Sequence, residues 1–170
     1  MTTAAIFVVL PLCLAFAALS DLFTMTIPNR VSAIVLAAFL IVAPFSGLAW
    51  SEIGMSLVAG AAVFAACFAL FAFNVMGGGD AKLLTAASVW YGFGMPLVEF
   101  LVCVAYVGGL LTLLILILRA KSASVLAMGL PIPSSLLLAK KVPYGIAIAI
   151  GGFMAFPEAP MVAMRLAGTG

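Results

Sequence analysis

Histidine is absent from these 170 residues, and Lys, Arg, Asp and Glu together make up only 7% of them. Soluble domains carry about 25% charged residues, so a water-soluble globule of this size is excluded. The three cysteines, Cys13, Cys67 and Cys103, lie singly inside apolar runs, with no Cys-x-x-Cys pair. Without that pairing or any histidine there is no donor set for a structural zinc site. No metal and no cofactor are expected, and the cysteines read as small buried hydrophobes. No Lys or Arg precedes Arg30. The stretch Thr3–Ser20 therefore lacks the basic start of a secretory signal, despite the Ala15-Phe16-Ala17 pattern near its end, and is expected to remain as a membrane span. Low-complexity tracts and convincing internal repeats are also lacking.

What fills the chain is apolar: 67% of it is hydrophobic. A bilayer must then be the solvent for most of the surface. Only helices or closed barrels satisfy backbone polar groups in lipid, and continuous rather than alternating runs favour helices. Spans of roughly 20 residues lead to an all-α membrane protein of about six transmembrane helices. They are read near Thr3–Ser20, Val31–Leu48, Ile53–Val75, Ala81–Gly94, Leu97–Leu118 and Tyr144–Met164. Little is left for a second domain, so residues 1–170 form a single integral-membrane unit. Pro157 and Pro160 predict an irregular end to the last span. Residues 123–139 are apolar but interrupted by Pro131 and Pro133, and are expected to lie at the interface or re-enter rather than cross.

The sparse charges set an orientation. Loops after the first, third and fifth spans hold Arg30, Lys82, Arg119, Lys121, Lys140 and Lys141, and only Arg165 falls on the other side. Positive residues mark the cytoplasmic face, which puts the N-terminus outside. Glu52, Glu99 and Glu158 all fall on the outer side, and both aspartates, Asp21 and Asp80, fall at the cytoplasmic face. With a net charge of +2 and its cations spread along one membrane edge, the chain is expected to meet the lipid bilayer and no nucleic acid.

Those two aspartates carry the functional argument, because a carboxylate at bilayer depth is costly and defaults to a functional role. Asp21 follows Ser20 at the end of the first span and precedes Ile27-Pro28-Asn29-Arg30. Pro28 suits the first turn of the next helix. Taken alone, Asp21 reads equally as a solvated exit from the membrane. Asp80 closes Gly77-Gly78-Gly79-Asp80, where three glycines permit close backbone approach. Its plainer reading is a flexible turn followed by an N-cap aspartate. Lys82 should point away from Asp80 on a helix and reads first as a headgroup anchor, second as a substrate contact. The run Lys140-Lys141-Val142-Pro143-Tyr144-Gly145 leads into the last span. Small residues there favour close helix packing, and Tyr144 suits the interfacial aromatic belt.

In order and sidedness, Asp21 to Asn29, Gly77–Asp80 and Pro143-Tyr144-Gly145 resemble the type IV prepilin peptidases. The nearest likeness is the small CpaA/TadV-like type that serves Flp pili of tight-adherence systems. The resemblance covers nearly the whole chain. It implies a membrane aspartyl endopeptidase of the bacterial inner membrane, with Asp21 and Asp80 as the catalytic pair and Gly77, Gly78 and Gly79 as the active-site loop. Pro28, Asn29, Lys82, Pro143, Tyr144 and Gly145 are secondary candidates for substrate contact or support. The implied partners are prepilins and pilin-like proteins, cut just before their apolar helix and commonly after a glycine. Larger members carry a Cys-x-x-Cys region linked to N-methylation. This chain lacks it, so cleavage alone is expected.

Two carboxylates about 3 Å apart hold one proton between them near neutral pH. The ionised one would activate water and the protonated one would assist departure of the amine. Because Asp21 ends one helix and Asp80 begins another, the helix dipoles make Asp21 the expected proton carrier. Three rival readings remain. Other Gly-x-Gly-Asp membrane proteases, of the presenilin kind, pair the motif with Tyr-Asp and Pro-Ala-Leu, and neither occurs here. A small proton- or cation-coupled transporter would use acids in mid-span. A passive scaffold leaves both aspartates unexplained.

Overall fold

The computed structural model describes residues 2–120 and 142–168. Their regular structure is entirely helical: α1 Thr2–Thr24, α2 Asn29–Val42, α3 Trp50–Ala72, α4 Gly78–Tyr91, α5 Met95–Ala120, α6 Tyr144–Ala155 and α7 Pro160–Ala167. Short 3-10 turns at Ala43–Phe45 and Phe156–Glu158 extend α2 and join α6 to α7. The break at Phe156–Ala159 is the irregular end that Pro157 and Pro160 impose. The segment 123–139, with Lys121, Lys140 and Lys141, lies outside the described residues.

By length and composition four helical stretches can cross a bilayer: Thr2–Thr24, Trp50–Ala72, Met95–Ala120 and Tyr144–Ala167. The expectation of about six full spans is corrected for the other two. The stretch Asn29–Phe45 is apolar but short. Helix α4 has 14 residues, about 21 Å at 1.5 Å per residue. Nine of those 14 are buried, so α4 is an internal post whose sides are covered by protein.

The packing explains that enclosure. Helix α3 packs on α4, α4 on α2, α2 on α1, α1 on α6 and α6 on α5, while α4 and α6 also meet each other. The sequence of α1 shows how one stripe is chosen. Ile6, Leu10, Leu14, Ala17 and Asp21 are its buried residues, at helical spacings of three and four. Leu12, Phe16, Leu19 and Phe23 form an exposed apolar stripe, suited to lipid. Asp21 thus continues the inward stripe, and α1 directs a carboxylate into the protein.

Buried aromatic side chains tie α4 to its neighbours through their polar ends. Trp90 Nε1 donates to the Val35 carbonyl on α2 at 3.0 Å. The Tyr91 hydroxyl donates to the Gly152 carbonyl on α6 at 2.7 Å, and its ring stacks on Phe100 with centroids 4.3 Å apart. Between α5 and α6 the backbones nearly touch. A Cβ added at Gly151 would lie 2.7 Å from the Val104 nitrogen and 2.9 Å from its Cα. Gly151→Ala must therefore push the two helices apart, and overpacking of this kind costs about 1–3 kcal/mol. We expect a lowered unfolding temperature in detergent. An unchanged one would mean that α5 and α6 are not closely seated.

Candidate active site

The turn between α1 and α2 is built by hydroxyls. Ser20 Oγ donates to the Thr26 carbonyl at 2.8 Å, Thr24 Oγ1 donates to the Ser20 carbonyl at 2.7 Å, and the Thr24 and Thr26 hydroxyls pair at 2.8 Å. Such side-chain bonds replace the helix ladder where it stops. Helix α1 runs to Thr24, one turn past its expected end, so Asp21 lies inside the last turn. Met25 follows in the left-handed region, with φ 53°. The turn presents Ile27 inward, where it is buried, and Pro28 caps α2 in an extended conformation.

Helix α4 starts at Gly78, with Gly77 as its N-cap and Asp80 in the first turn. The expectation that Asp80 itself would cap the helix is corrected. The glycines serve close approach instead. A Cβ on Gly79 would lie 3.2 Å from Ile27 Cβ, and one on Gly77 would lie 2.7 Å from Asp80 Oδ2. A larger residue at either place would separate α4 from the α1–α2 turn or displace the Asp80 carboxylate.

Helix α6 supplies the third wall. Pro143 is its N-cap, and the Gly145 N–H donates to Asp21 Oδ2 at 2.7 Å. This bond joins residues 124 apart in sequence, and the sequence pattern did not single it out. Free N–H groups at a helix start do provide such a donor in general. A Cβ on Gly145 would fall 2.9 Å from Asp21 Oδ2 and 3.0 Å from Ile27 Cδ1.

Asp21 and Asp80 line one cleft of about 230 Å³, together with Thr26, Asn29, the three glycines and Val142. Asp21 is 5% exposed, whereas Asp80 is half-buried. The helix-end premise for placing the proton on Asp21 no longer separates the two. Asp21 faces the N-terminus of α6 as Asp80 faces that of α4, so positive partial charge meets both carboxylates.

The secondary candidates divide. Lys82 Nζ donates to Asn29 Oδ1 at 3.0 Å, an exposed tie between the starts of α4 and α2. Pro28 is exposed and lines a separate apolar groove between α1 and α2. Tyr144 lies against Gly108 of α5 and lines a second cleft of about 480 Å³ beside Asp80. The residues that sequence reasoning passed over are Thr26 and Val142 in the first cleft, and Leu70, Asn74, Met76 and Thr112 in the second. The Ser20, Thr24 and Thr26 spacing around Asp21 was the available signal for the first of these.

A family model described as the type IV leader peptidase family matches residues 8–132. That range includes Asp21 and Asp80 and stops short of Pro143–Gly145. No curated protein and no solved structure matches the chain.

Proposed function

The chain belongs to the type IV leader peptidase family, and on that premise we propose that it is an aspartyl endopeptidase that removes the leader of type IV prepilins and pilin-like proteins, Flp-type ones in particular. The observation that carries the reading is the shared cleft. The only two aspartates of the chain, 59 positions apart, line the same 230 Å³ space.

The chemistry follows from that placement. A water in the cleft loses a proton to the ionised carboxylate and attacks the scissile carbonyl. The protonated carboxylate donates its proton to the departing amine as the C–N bond breaks. One acid and one amine result, and the pair again holds one proton. The titration belongs to the pair rather than to either member. The Gly145 N–H fixes the Asp21 carboxylate, and the packing of Ile27 against Gly79 fixes the distance between the two supporting elements. No metal or cofactor enters these steps.

Arg30 and Lys82 belong to the aspartate end of the bundle, and Glu52 lies at the other, where it accepts the Ala49 N–H at 2.7 Å. The positive-inside tendency therefore supports a cytoplasmic active site in the inner membrane. The absence of paired cysteines supports cleavage without N-methylation.

The test is co-expression of the chain with a pilin-like substrate. We expect a mobility shift equal to loss of the leader, an unmethylated new N-terminus by mass spectrometry, and no proton or cation flux in vesicles of the purified protein. Flux without cleavage would replace this reading with the transporter.

A further inference from the structure

The two clefts that meet at Asp80 differ in chemistry. The first, shared with Asp21, is lined by Met25, Thr26, Ile27, Asn29, Val142 and the Gly77–Gly79 turn. With two carboxylates beside the Thr26 and Asn29 side chains it is the more polar of the two and suits a polar strand. The second is walled by Leu70, Val75, Met76, Val142 and Tyr144, with Asn74 and Thr112 also in its lining. Thr112 Oγ1 already donates to the Gly108 carbonyl at 2.7 Å, so its hydroxyl proton is engaged along its own helix. Gly77, Asp80 and Val142 line both clefts, so a chain lying across Asp80 occupies both at once.

The second cleft also has a defined outlook. Among the described residues it is bounded by the end of α3, the α3–α4 turn, α5 and the start of α6. The flanking outer faces carry Phe68 and Phe71 on α3 and Leu110 and Leu113 on α5, all exposed. These described faces suit a lipid-embedded helix that approaches from the side. The first cleft instead lies beside the exposed Asn29–Lys82 pair.

We propose that the 480 Å³ cleft is the subsite for the apolar residues that follow the scissile bond, and that the 230 Å³ cleft holds the polar leader residues that precede it. The substrate backbone then runs in one direction over Asp80, from the α1–α2 turn toward the gap between α3 and α5. This deepens the reading above and rests on it. Thr112 and Met76 are specificity-determining residues for the apolar side, and Thr26 for the polar side.

The experiment uses the full chain in lipid nanodiscs, made inactive by Asp21→Asn to hold uncut substrate. A pilin-like peptide carries a benzophenone two residues before or two residues after the cut. Light-induced cross-links are mapped by mass spectrometry. The later probe should label the Met76 and Thr112 region, and the earlier one the Thr26 and Asn29 region. With both aspartates intact, Thr112→Trp should lower kcat/KM about tenfold for a substrate with a large apolar residue after the cut, and less for one with alanine there, the range that small volume changes in a pocket command. Met76→Ala should shift the preference the other way, which separates a filled pocket from a misfolded protein. Exchanged cross-links, or an equal loss for both substrates, would overturn the direction while leaving the peptidase reading intact. If the unaltered chain cuts no leader, both fall together.

Discussion

Asp21→Asn and Asp80→Asn should each lower leader cleavage by about a thousandfold or more. General acid–base groups contribute about 10²–10⁴-fold, and here one carboxylate takes the proton of the water while the other supplies the proton of the departing amine, so neither can be spared. The substitution is nearly isosteric, which keeps the test clean. An Asn at position 21 still offers a side-chain oxygen to the Gly145 N–H, so the 2.7 Å bond that joins α1 to α6 can persist. An Asn at position 80 keeps the same shape in the half-buried first turn of α4. Unfolding temperatures should therefore stay close to that of the unaltered protein while product formation disappears. The double variant should be no worse than the worse single one, because the two groups act as a unit. Initial rates on a purified pilin-like substrate, measured beside melting curves in the same detergent, decide it. Substantial cleavage by both single variants would remove the two-carboxylate mechanism.

The sequence made some of this legible and hid the rest for physical reasons. Helix content and the membrane setting follow from composition, since 67% hydrophobic residues leave no other solvent. Asp21 and Asp80 drew the functional expectation because charge is scarce, and the fold puts both on one cleft. Span count was harder. Apolar run length measures what can be buried, in lipid or in protein. Helix α4 buries itself against α2, α3 and α6, and so reads as a span without being long enough for one. Helix ends misled in the same way. Asp21 is near the C-terminus of its own helix, and only the fold shows that the N-terminus of α6 comes to meet it. Nothing in a one-dimensional pattern links Gly145 to Asp21 or Ile27 to Gly79. These contacts depend on where glycines let backbones approach, and a glycine looks the same whether it marks a turn or a contact.

Gly145 then gives the second large effect. Gly145→Ala should reduce kcat about 10- to 100-fold without a matching loss of stability. The added methyl would stand 2.9 Å from Asp21 Oδ2, 3.0 Å from Asp21 Cβ and 3.0 Å from Ile27 Cδ1. Two of these contacts fall on Asp21 and one on Ile27, so the methyl presses on both residues. Helix α6 is poorly placed to retreat, since Gly151 already abuts the Val104 backbone and a Cβ on Gly152 would lie 2.6 Å from Leu14 Cδ1. The mobile party is therefore the Asp21 side chain, together with the turn that carries Ile27. Ile27 in turn holds Gly79, so a shift passes directly to the element bearing Asp80. A misplacement of about 1 Å in a catalytic group can cost about 10²-fold. Alanine also favours the helix over glycine by up to about 1 kcal/mol, which offsets part of the crowding and keeps the protein folded. The signature is a fall in kcat with a nearly constant melting temperature, opposite to that expected for Gly151→Ala, where stability should fall first. A Gly145→Ala protein with full activity would mean that the close approach of Asp21 and Ile27 to position 145 does not set the catalytic geometry.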